Sequence, residues 1–401
     1  AYYIGSNGEA AIIDPLRETE PYLKLAETRE TKIKYVFETH FHADFVSGHI
    51  DLARKTGAEI IYGPTAEAEY DITVAEDEQC FPLGDVQIKV LHTPGHTMES
   101  SCFLVVDKQG HEHAVFTGDT LFVGDVGRPD LAVKSDLSRE DLARFLYRSI
   151  NEKLLTLDDD VIVYPSHGAG SQCGKVLGEA IQTTIGEQKS YNYALKTTSE
   201  NEFVEQVTKG LTPPPQYFPK NAKINKQGYN NIDEILNRSD NPLSVEAVQV
   251  VSGKDKTLII DTRPVSQFSS GFVPGSINIG LDGFFAVWVG TLIENLNTPI
   301  LLVTEEGQEK ETTLRLARVG YENVIGYLNG GFDAWRKSGK EVEKVINSCP
   351  VDFKANRSDK LILDVRTEEE YANGHIENAK NVPLAQLTAQ LPELNKSSTY
   401  Y

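Results

Sequence analysis

The stretch Thr39-His40-Phe41-His42-Ala43-Asp44-Phe45 decides the fold of the first half of this chain. Residues 32–38, directly before it, alternate apolar and polar side chains and predict a β-strand. The residues after it carry apolar side chains at helical spacing as far as Gly57, which is a typical helix stop. The two imidazoles and the carboxylate therefore lie on a turn between a strand and a helix, where they can converge on one metal ion.

Three further motifs each place a potential metal ligand directly after an apolar, strand-like run. They are His92-Thr93-Pro94-Gly95-His96-Thr97, Phe116-Thr117-Gly118-Asp119-Thr120 and Tyr164-Pro165-Ser166-His167-Gly168. Imidazole nitrogen and carboxylate oxygen are ligands that borderline metals accept. Ligand-bearing loops at the ends of successive strands are difficult to obtain by chance. The pattern therefore predicts a metal site rather than solvated turns that happen to carry histidines.

This combination of motifs resembles the metallo-β-lactamase superfamily over about residues 1–195. The resemblance implies an αββα sandwich with the metal at one edge. In that family the first motif is HxHxDH, and its last histidine normally serves a second metal. Phe45 stands at that position in this chain, and a phenyl ring cannot bind a metal ion. The sequence thus departs from the complete two-metal site of the family.

The second half of the chain contains an internal repeat. The stretch Leu258-Ile259-Ile260-Asp261-Thr262-Arg263 matches Leu361-Ile362-Leu363-Asp364-Val365-Arg366, and Gly271 and Asn278 match Gly374 and Asn381 at the same offset. Each unit alternates strand-like and helix-like segments, which predicts a parallel α/β sheet. The two units resemble rhodanese domains.

The first of these units lacks the residues of a catalytic rhodanese. Such a domain carries Cys-x-x-Gly-x-Arg after its fourth strand, where backbone N–H groups cradle a persulfide. Here the loop is Thr304-Glu305-Glu306-Gly307-Gln308-Glu309, in which threonine cannot hold a persulfide and the glutamates repel anions. We expect this unit to be inert, and the second unit to stop just before its own active-site loop.

These motifs predict a multidomain protein of α/β and α+β class. Residues 1–240 form the metallo-β-lactamase-like domain, with a C-terminal helical extension and a polar linker at about 221–241. Residues 241–345 form the rhodanese-homology domain without the catalytic cysteine, and residues 346–401 begin a C-terminal rhodanese domain. The αββα sandwich is therefore followed by parallel-sheet α/β domains.

Composition narrows the classes of function. A length of 401 residues is too great for one core, and 40% apolar with 24% charged residues is typical of a soluble protein. The net charge of −20 argues against nucleic acid and anionic membranes as partners. Scattered cysteines, and the lack of a signal peptide or a membrane-spanning apolar run, favour the cytoplasm. A homo-oligomer is compatible with the sequence.

The candidate metal ligands are His40, His96 and Asp119. With Phe45 present, a second group is better suited to orienting those ligands, or to binding water and substrate, and it consists of His42, Asp44 and His167.

Two other residues lie close to the ligand loops. Arg128, with Asp130 nearby, suits a buried ion pair and a substrate contact equally well. Cys173 follows the His167 loop at a glycine-rich turn into a predicted helix, whose dipole would lower the pKa of the thiol. The alternative for Cys173 is an unreactive buried cysteine.

Joined to rhodanese units, the first half resembles the persulfide dioxygenases. The resemblance implies one iron(II) ion per chain, held by two histidines and one aspartate, with open positions for O₂ and a persulfide sulfur. Zinc is the alternative metal. The implied reaction oxidises a small thiol persulfide with O₂ to sulfite and free thiol, and a functional rhodanese domain in the full-length protein would pass a second sulfur atom to the sulfite, giving thiosulfate. The candidate catalytic residues are Cys173, His167 and Arg128.

Two other functions stay open. A glyoxalase II-like enzyme is a dizinc thioester hydrolase in which metal-bound hydroxide attacks the carbonyl, and both Phe45 and the rhodanese units argue against it. A non-enzymatic sulfur-relay scaffold is favoured by the inert first rhodanese unit. The intact ligand set of the first half argues against that scaffold.

Overall fold

The structure, a computed structural model, describes residues 1–132, 137–168, 171–175, 179–211, 213–253, 257–355 and 361–401. It divides into two compact units. The first comprises Ala1–Arg238 together with Thr313–Glu322, and the second comprises Ser239–Thr312 together with Asn323–Tyr401.

The first unit is built on two β-sheets. One sheet has the order β1-β2-β3-β4-β5 and the other has the order β11-β10-β9-β8-β7-β6. The strands are β1 (Tyr2–Ser6), β2 (Glu9–Ile13), β3 (Lys32–Glu38), β4 (Glu59–Tyr62), β5 (Thr73–Val74), β6 (Cys80–Leu83), β7 (Val86–His92), β8 (Ser101–Asp107), β9 (Glu112–Gly118), β10 (Ile162–Pro165) and β11 (Thr183–Thr184).

Helices connect and flank these strands. They are α1 (Glu20–Thr28), α2 (His49–Thr56), α3 (Arg139–Ser149), α4 (Ile185–Tyr191), α5 (Glu200–Thr208), α6 (Phe218–Gln227) and α7 (Ile232–Ser239). A short π-helical segment, Ile150–Leu154, continues α3.

The two sheets pack face to face through a shared apolar core. One sheet contributes residues such as Phe37 and Ile61, and the other contributes residues such as Val90 and Phe103. Because side chains alternate along a strand, each sheet also has an outer apolar face. Helices α1 and α2 cover the first outer face, and α3 and α5 cover the second. This four-layer arrangement is the αββα sandwich that the sequence predicts, so that prediction is confirmed.

The sandwich brings the ligand motifs to the ends of strands. The first motif follows β3, the His96 loop follows β7, the Asp119 loop follows β9 and the His167 loop follows β10. Strands β9 and β10 are parallel neighbours, so the loops after them leave the sheet at the same edge.

The segment predicted to be a linker is instead helical. Residues 221–241 contribute to α6 and α7, and the side chains of Asn221 and Asn225 on α6 are buried. The prediction was wrong because asparagine, rather than an apolar residue, occupies the inward face of α6. A polar residue at helical spacing gives no hydrophobic signal.

The second unit contains a parallel five-stranded sheet of order β12-β16-β15-β13-β14, and a small sheet formed by β17 and β18. Its strands are β12 (Pro242–Leu243), β13 (Leu258–Asp261), β14 (Ile277–Asn278), β15 (Ile300–Val303), β16 (Val324–Leu328), β17 (Leu363–Asp364) and β18 (Lys380–Asn381). Its helices are α8 (Val245–Ser252), α9 (Val265–Ser270), α10 (Phe285–Leu292), α11 (Glu309–Ala317, whose last residues group with the first unit), α12 (Gly331–Lys337), α13 (Pro350–Ala355), α14 (Glu368–Ala372) and α15 (Leu387–Gln390). The predicted parallel α/β sheet is confirmed.

Both repeats are braced by the same hydrogen bonds. In the first repeat the guanidinium of Arg263 pairs with Asp261 and donates to the carbonyl of Gly271 at 3.0 Å. The amide of Asn278 donates to the carbonyls of Asp261 and Arg263, each at 2.9 Å. The second repeat reproduces every one of these bonds with Asp364, Arg366, Gly374 and Asn381.

Within the described ranges, no helix is both long enough and apolar enough to cross a bilayer.

Candidate metal centre

Three side chains from three loops converge on one point. Asp119 Oδ2 lies 3.4 Å from His96 Nε2 and 4.0 Å from His40 Nε2. All three residues are buried, and their candidate ligand atoms lie within 4.8 Å of one another. Neither carboxylate oxygen of Asp119 has a hydrogen-bond partner among the described residues. Burying a carboxylate without a partner is costly, and a cation between these three groups would offset that cost. The donor set therefore fits a metal ion.

The far side of each imidazole is held by a hydrogen bond. His96 Nδ1 lies 3.0 Å from the carbonyl oxygen of Arg128, so this nitrogen must be the donor. His40 Nδ1 lies 2.9 Å from the hydroxyl of Thr39, which in turn donates to Asp14 at 2.9 Å, so His40 Nδ1 also donates. Both rings therefore present the lone pair of Nε2 towards Asp119, as metal-binding histidines do when a second partner fixes their tautomer.

His40 is held in the neutral form that metal binding requires. Burial, together with the neighbouring His42 and His96, keeps the pKa of His40 well below its ordinary value. The imidazole of His40 is therefore neutral at physiological pH, and no proton has to leave it when a metal binds.

His42 does not join this ligand set. Its Nε2 lies 3.1 Å from Asp14 Oδ1 and 3.7 Å from Glu38 Oε2, in a fully buried group. Burial alone would lower the pKa of His42, but the adjacent Asp14 and Glu38 raise it to about 9. Burial and the charge of Asp14 raise the pKa of Glu38 well above its usual range. His42 is therefore placed with Asp14 and Glu38, whose charges favour its protonated form, and these three residues form a group of their own.

A second group lies directly beside the first. His167 Nε2 is 3.4 Å from Asp44 Oδ2 and also 3.4 Å from Asp119 Oδ1. The potential ligand atoms of Asp44, His167 and Cys173 lie within 4.8 Å of one another. The ring of Phe45 packs on His42, with 4.3 Å between ring centroids. The structure thus brings together all the candidate residues of the first motif, but divides them between three neighbouring groups.

The predicted lowering of the Cys173 pKa is wrong. The described residues around Cys173 form bends rather than the start of a helix, and residues 176–178 lie outside the described part of the chain. The thiol is buried, and burial together with the charges of Asp119 and Asp44 raises its pKa well above the ordinary value. Desolvation and like charge therefore raise the pKa of this thiol rather than lower it.

Arg128 connects several parts of the centre. Its guanidinium donates to both carboxylate oxygens of Asp130, at 2.6 and 2.8 Å, and to the carbonyl of Gln172 at 3.2 Å. Its backbone N–H donates to the carbonyl of Cys173 at 3.0 Å. Its own carbonyl holds His96. The sequence left a buried ion pair and a substrate contact equally open for Arg128, and these contacts favour the ion pair. The backbone of Arg128 also connects the Cys173 segment to the candidate ligand His96.

Several residues of the centre were not singled out from the sequence. Asp14 follows the apolar strand β2, in the same position relative to its strand as the ligand motifs, so a systematic search of strand ends would have found it. Tyr217 is buried near the second group, and burial followed by the charges of Asp44 and Cys173 raises the pKa of its phenol. Asn225 lies on α6, and no sequence signal marks it.

Comparison with known families accounts for both halves of the chain. The metallo-β-lactamase superfamily model matches residues 1–167, and the rhodanese-like domain model matches residues 244–338 and 349–401. The human mitochondrial persulfide dioxygenase ETHE1 is 31% identical over 211 residues, which is 52% of this chain and 74% of that protein. The chain therefore belongs to the metallo-β-lactamase superfamily, with rhodanese-like domains after the metal-binding fold.

Two further proteins are similar to this chain. A probable hydroxyacylglutathione hydrolase of Schizosaccharomyces pombe is 28% identical over 243 residues, covering 55% of this chain and 89% of the relative. The crystal structure of a metallo-β-lactamase from Staphylococcus aureus is 31% identical, with a TM-score of 0.69, and the match covers 80% of this chain and 91% of that chain. The similar proteins thus include one named a persulfide dioxygenase and one named a probable hydroxyacylglutathione hydrolase.

Proposed function

We propose that this protein is a persulfide dioxygenase. One iron(II) ion, held by His40, His96 and Asp119, would serve to oxidise the outer sulfur of a small thiol persulfide with O₂, giving sulfite and free thiol. The observation that carries the proposal is the ligand set itself, which consists of two imidazoles and one carboxylate while His42 is engaged by Asp14. The similarity to the human persulfide dioxygenase and the rhodanese-like domains support the same assignment.

The residues of the chain prepare the site before any substrate arrives. Iron(II) bound by two histidines and one carboxylate supplies open coordination positions for oxygen chemistry. Thr39 and the carbonyl of Arg128 keep the two imidazoles in the metal-binding tautomer. His167 contacts both Asp44 and Asp119, and it would orient water or substrate beside the proposed metal. Burial of all three ligand residues excludes bulk water from the reaction.

Oxygen consumption tests this proposal directly. Protein purified without oxygen and loaded with iron(II) should consume O₂ when a small-thiol persulfide is added, and should release sulfite. An oxygen electrode and a sulfite assay measure the two quantities together. Hydrolysis of a thioester without oxygen uptake would contradict the proposal.

A thioester hydrolase of the glyoxalase II type is the second candidate. The group formed by Asp44, His167 and Cys173 favours it, because these side chains lie next to Asp119 and could hold a second ion. The hydroxyacylglutathione hydrolase relative also favours it. Metal analysis separates the two candidates, since the hydrolase requires two zinc ions per chain and the dioxygenase requires one iron.

Cys173 provides a prediction about the second group. The variant Cys173→Ser should keep its metal, because the thiol is outside the proposed ligand set, but its turnover should fall about tenfold or its products should change. Turnover and the ratio of sulfite to other sulfur products are the measurements. Cys102→Ser is the matched control, because Cys102 is also fully buried and its partners are Thr93 and the carbonyl of Thr117. Unchanged turnover and products in Cys173→Ser would assign Cys173 a purely structural role.

The first rhodanese-like unit should be inactive. The loop between β15 and α11 begins at the buried Thr304 and offers neither a thiol nor a cationic side chain. We therefore expect this unit to transfer no sulfur from thiosulfate to a thiol acceptor, and we infer that it is a spacer or a docking surface. Robust transfer would contradict this, and the variants Cys173→Ser and Cys349→Ser would then show which thiol is responsible.

A further inference from the structure

One side chain holds three backbone groups of the loop at residues 42–47. Asn225 Nδ2 donates to the carbonyl oxygens of His42 and Phe45, at 2.7 and 2.8 Å. Its Oδ1 accepts from the backbone N–H of Ser47 at 2.9 Å. Asn225 is only 1% exposed, so water cannot replace these bonds. A single carboxamide thus satisfies two buried polar groups, at His42 and Ser47, and a partly buried one at Phe45.

The three bonds bracket Asp44. The loop is held before Asp44, at His42, and after it, at Phe45 and Ser47. The backbone path between these points sets where the Asp44 side chain can reach. In the observed path, Asp44 Oδ2 lies 3.4 Å from His167 Nε2, which itself lies next to Asp119.

The helix that carries Asn225 has its own anchors. The hydroxyl of Tyr70 donates to the carbonyl of Asn225 at 2.6 Å, and the N–H of Glu69 donates to the carbonyl of Lys226 at 2.9 Å. The end of α6 is therefore fixed by a segment other than the loop it supports. A helix that is itself anchored orients the residues that contact a metal or substrate more accurately than a mobile loop could.

Neither family match includes this helix. The metallo-β-lactamase match ends at residue 167 and the first rhodanese-like match begins at residue 244. We propose that Asn225 is a positioning residue of the metal centre, and that α6 completes the centre by fixing the loop that follows the ligand His40. This inference rests on the metal site proposed above, but it does not depend on the reaction.

Two variants of Asn225 separate positioning from general stability. Asn225→Ala removes all three bonds. Asn225→Asp keeps an acceptor for the Ser47 N–H but loses both donors, and sets a carboxylate against two carbonyl oxygens. Anaerobic titration with Co(II), followed by its visible absorption, should show about 10- to 100-fold weaker binding in both variants, the range typical for residues that orient metal ligands.

Amide exchange in the metal-free protein gives a second readout. The Ser47 amide should exchange faster in Asn225→Ala and stay protected in Asn225→Asp, because only the alanine variant removes its acceptor. A general loss of stability would raise exchange in both variants alike. If Asn225→Ala does not fold, Asn225→Asp still carries the Co(II) test.

Asn278→Ala is the matched control. Asn278 also donates to two backbone carbonyls, at 2.9 Å each, but in the second unit. The Asn278→Ala variant should bind Co(II) with the same affinity as the unaltered protein. Unchanged Co(II) affinity in Asn225→Asp, or an equal loss in Asn278→Ala, would overturn the inference. A protein that binds Co(II) as expected but consumes no oxygen would leave this inference standing and reject the proposed reaction.

Discussion

Replacing His96 by alanine should remove the metal ion from this protein. The unaltered protein, purified without oxygen, should retain about one equivalent of iron, since Asp119 and both imidazoles face one point. Binding a metal by a few side chains contributes on the order of 10 kcal/mol, so losing one of three ligands should cost roughly 3 kcal/mol, or about a hundredfold in affinity. At micromolar protein concentration the variant should therefore lose its iron during purification, and persulfide-dependent oxygen uptake should disappear with it.

His92→Ala is the control for this experiment. His92 lies four residues before His96, at the end of β7. Its Nε2 interacts with the carbonyl of Met98 at 2.9 Å rather than with the proposed ligand group. Its iron content should be unchanged. Iron retained by His96→Ala, or two tightly held zinc ions in the native protein, would contradict the single-metal assignment.

A methyl group at Gly127 should disrupt the same centre from the backbone. A Cβ atom added there would lie 1.8 Å from the carbonyl oxygen of Asp119 and 3.2 Å from His96 Nδ1. A contact of 1.8 Å is far inside van der Waals distance, and the obstructing atom is backbone, so one of the two chain segments must move. We expect Gly127→Ala to lower the free energy of unfolding by about 3 kcal/mol and to weaken metal binding, because both affected residues belong to the proposed ligand set.

Denaturant unfolding and Co(II) titration measure the two effects of Gly127→Ala. Gly280→Ala serves for comparison, because the nearest atom to its added Cβ, the carbonyl oxygen of Arg263, is 4.0 Å away. It should change stability by less than about 1 kcal/mol. A Gly127→Ala protein with native stability and native metal affinity would show that the Gly127 loop can withdraw without moving Asp119.

The convergence of His40, His96 and Asp119 could be predicted from the sequence because its signals are local. Each ligand motif directly follows an apolar strand, and the strands β3, β7 and β9 do end just before His40, His96 and Asp119. Once the fold class is known, strand ends determine which loops can meet. The αββα sandwich and the parallel rhodanese-like sheet were predictable for the same reason. The spacing of apolar residues that marks a strand or a helix can be recognised within a short segment of sequence.

The division of roles within the first motif could not be predicted. His42 pairs with Asp14, which reaches it only through the pairing of β2 with β3, a tertiary contact that spacing does not reveal. The support from Asn225 was missed because the segment around it is polar and was therefore read as a linker, and the sequence does not show that Asn225 is buried. The pKa of Cys173 was misjudged because the sequence does not report burial, which raises that pKa.

The two rhodanese-like repeats share a set of hydrogen bonds, called the brace here, which supports the fold and does not involve the active-site loop. Within one molecule, the repeat whose loop contains no thiol makes the same bonds among Asp261, Arg263, Gly271 and Asn278 as the second repeat makes among its matching residues. The brace therefore does not require a thiol in the loop after β15. It holds the strand, helix and turn of a repeat together whether or not that repeat transfers sulfur.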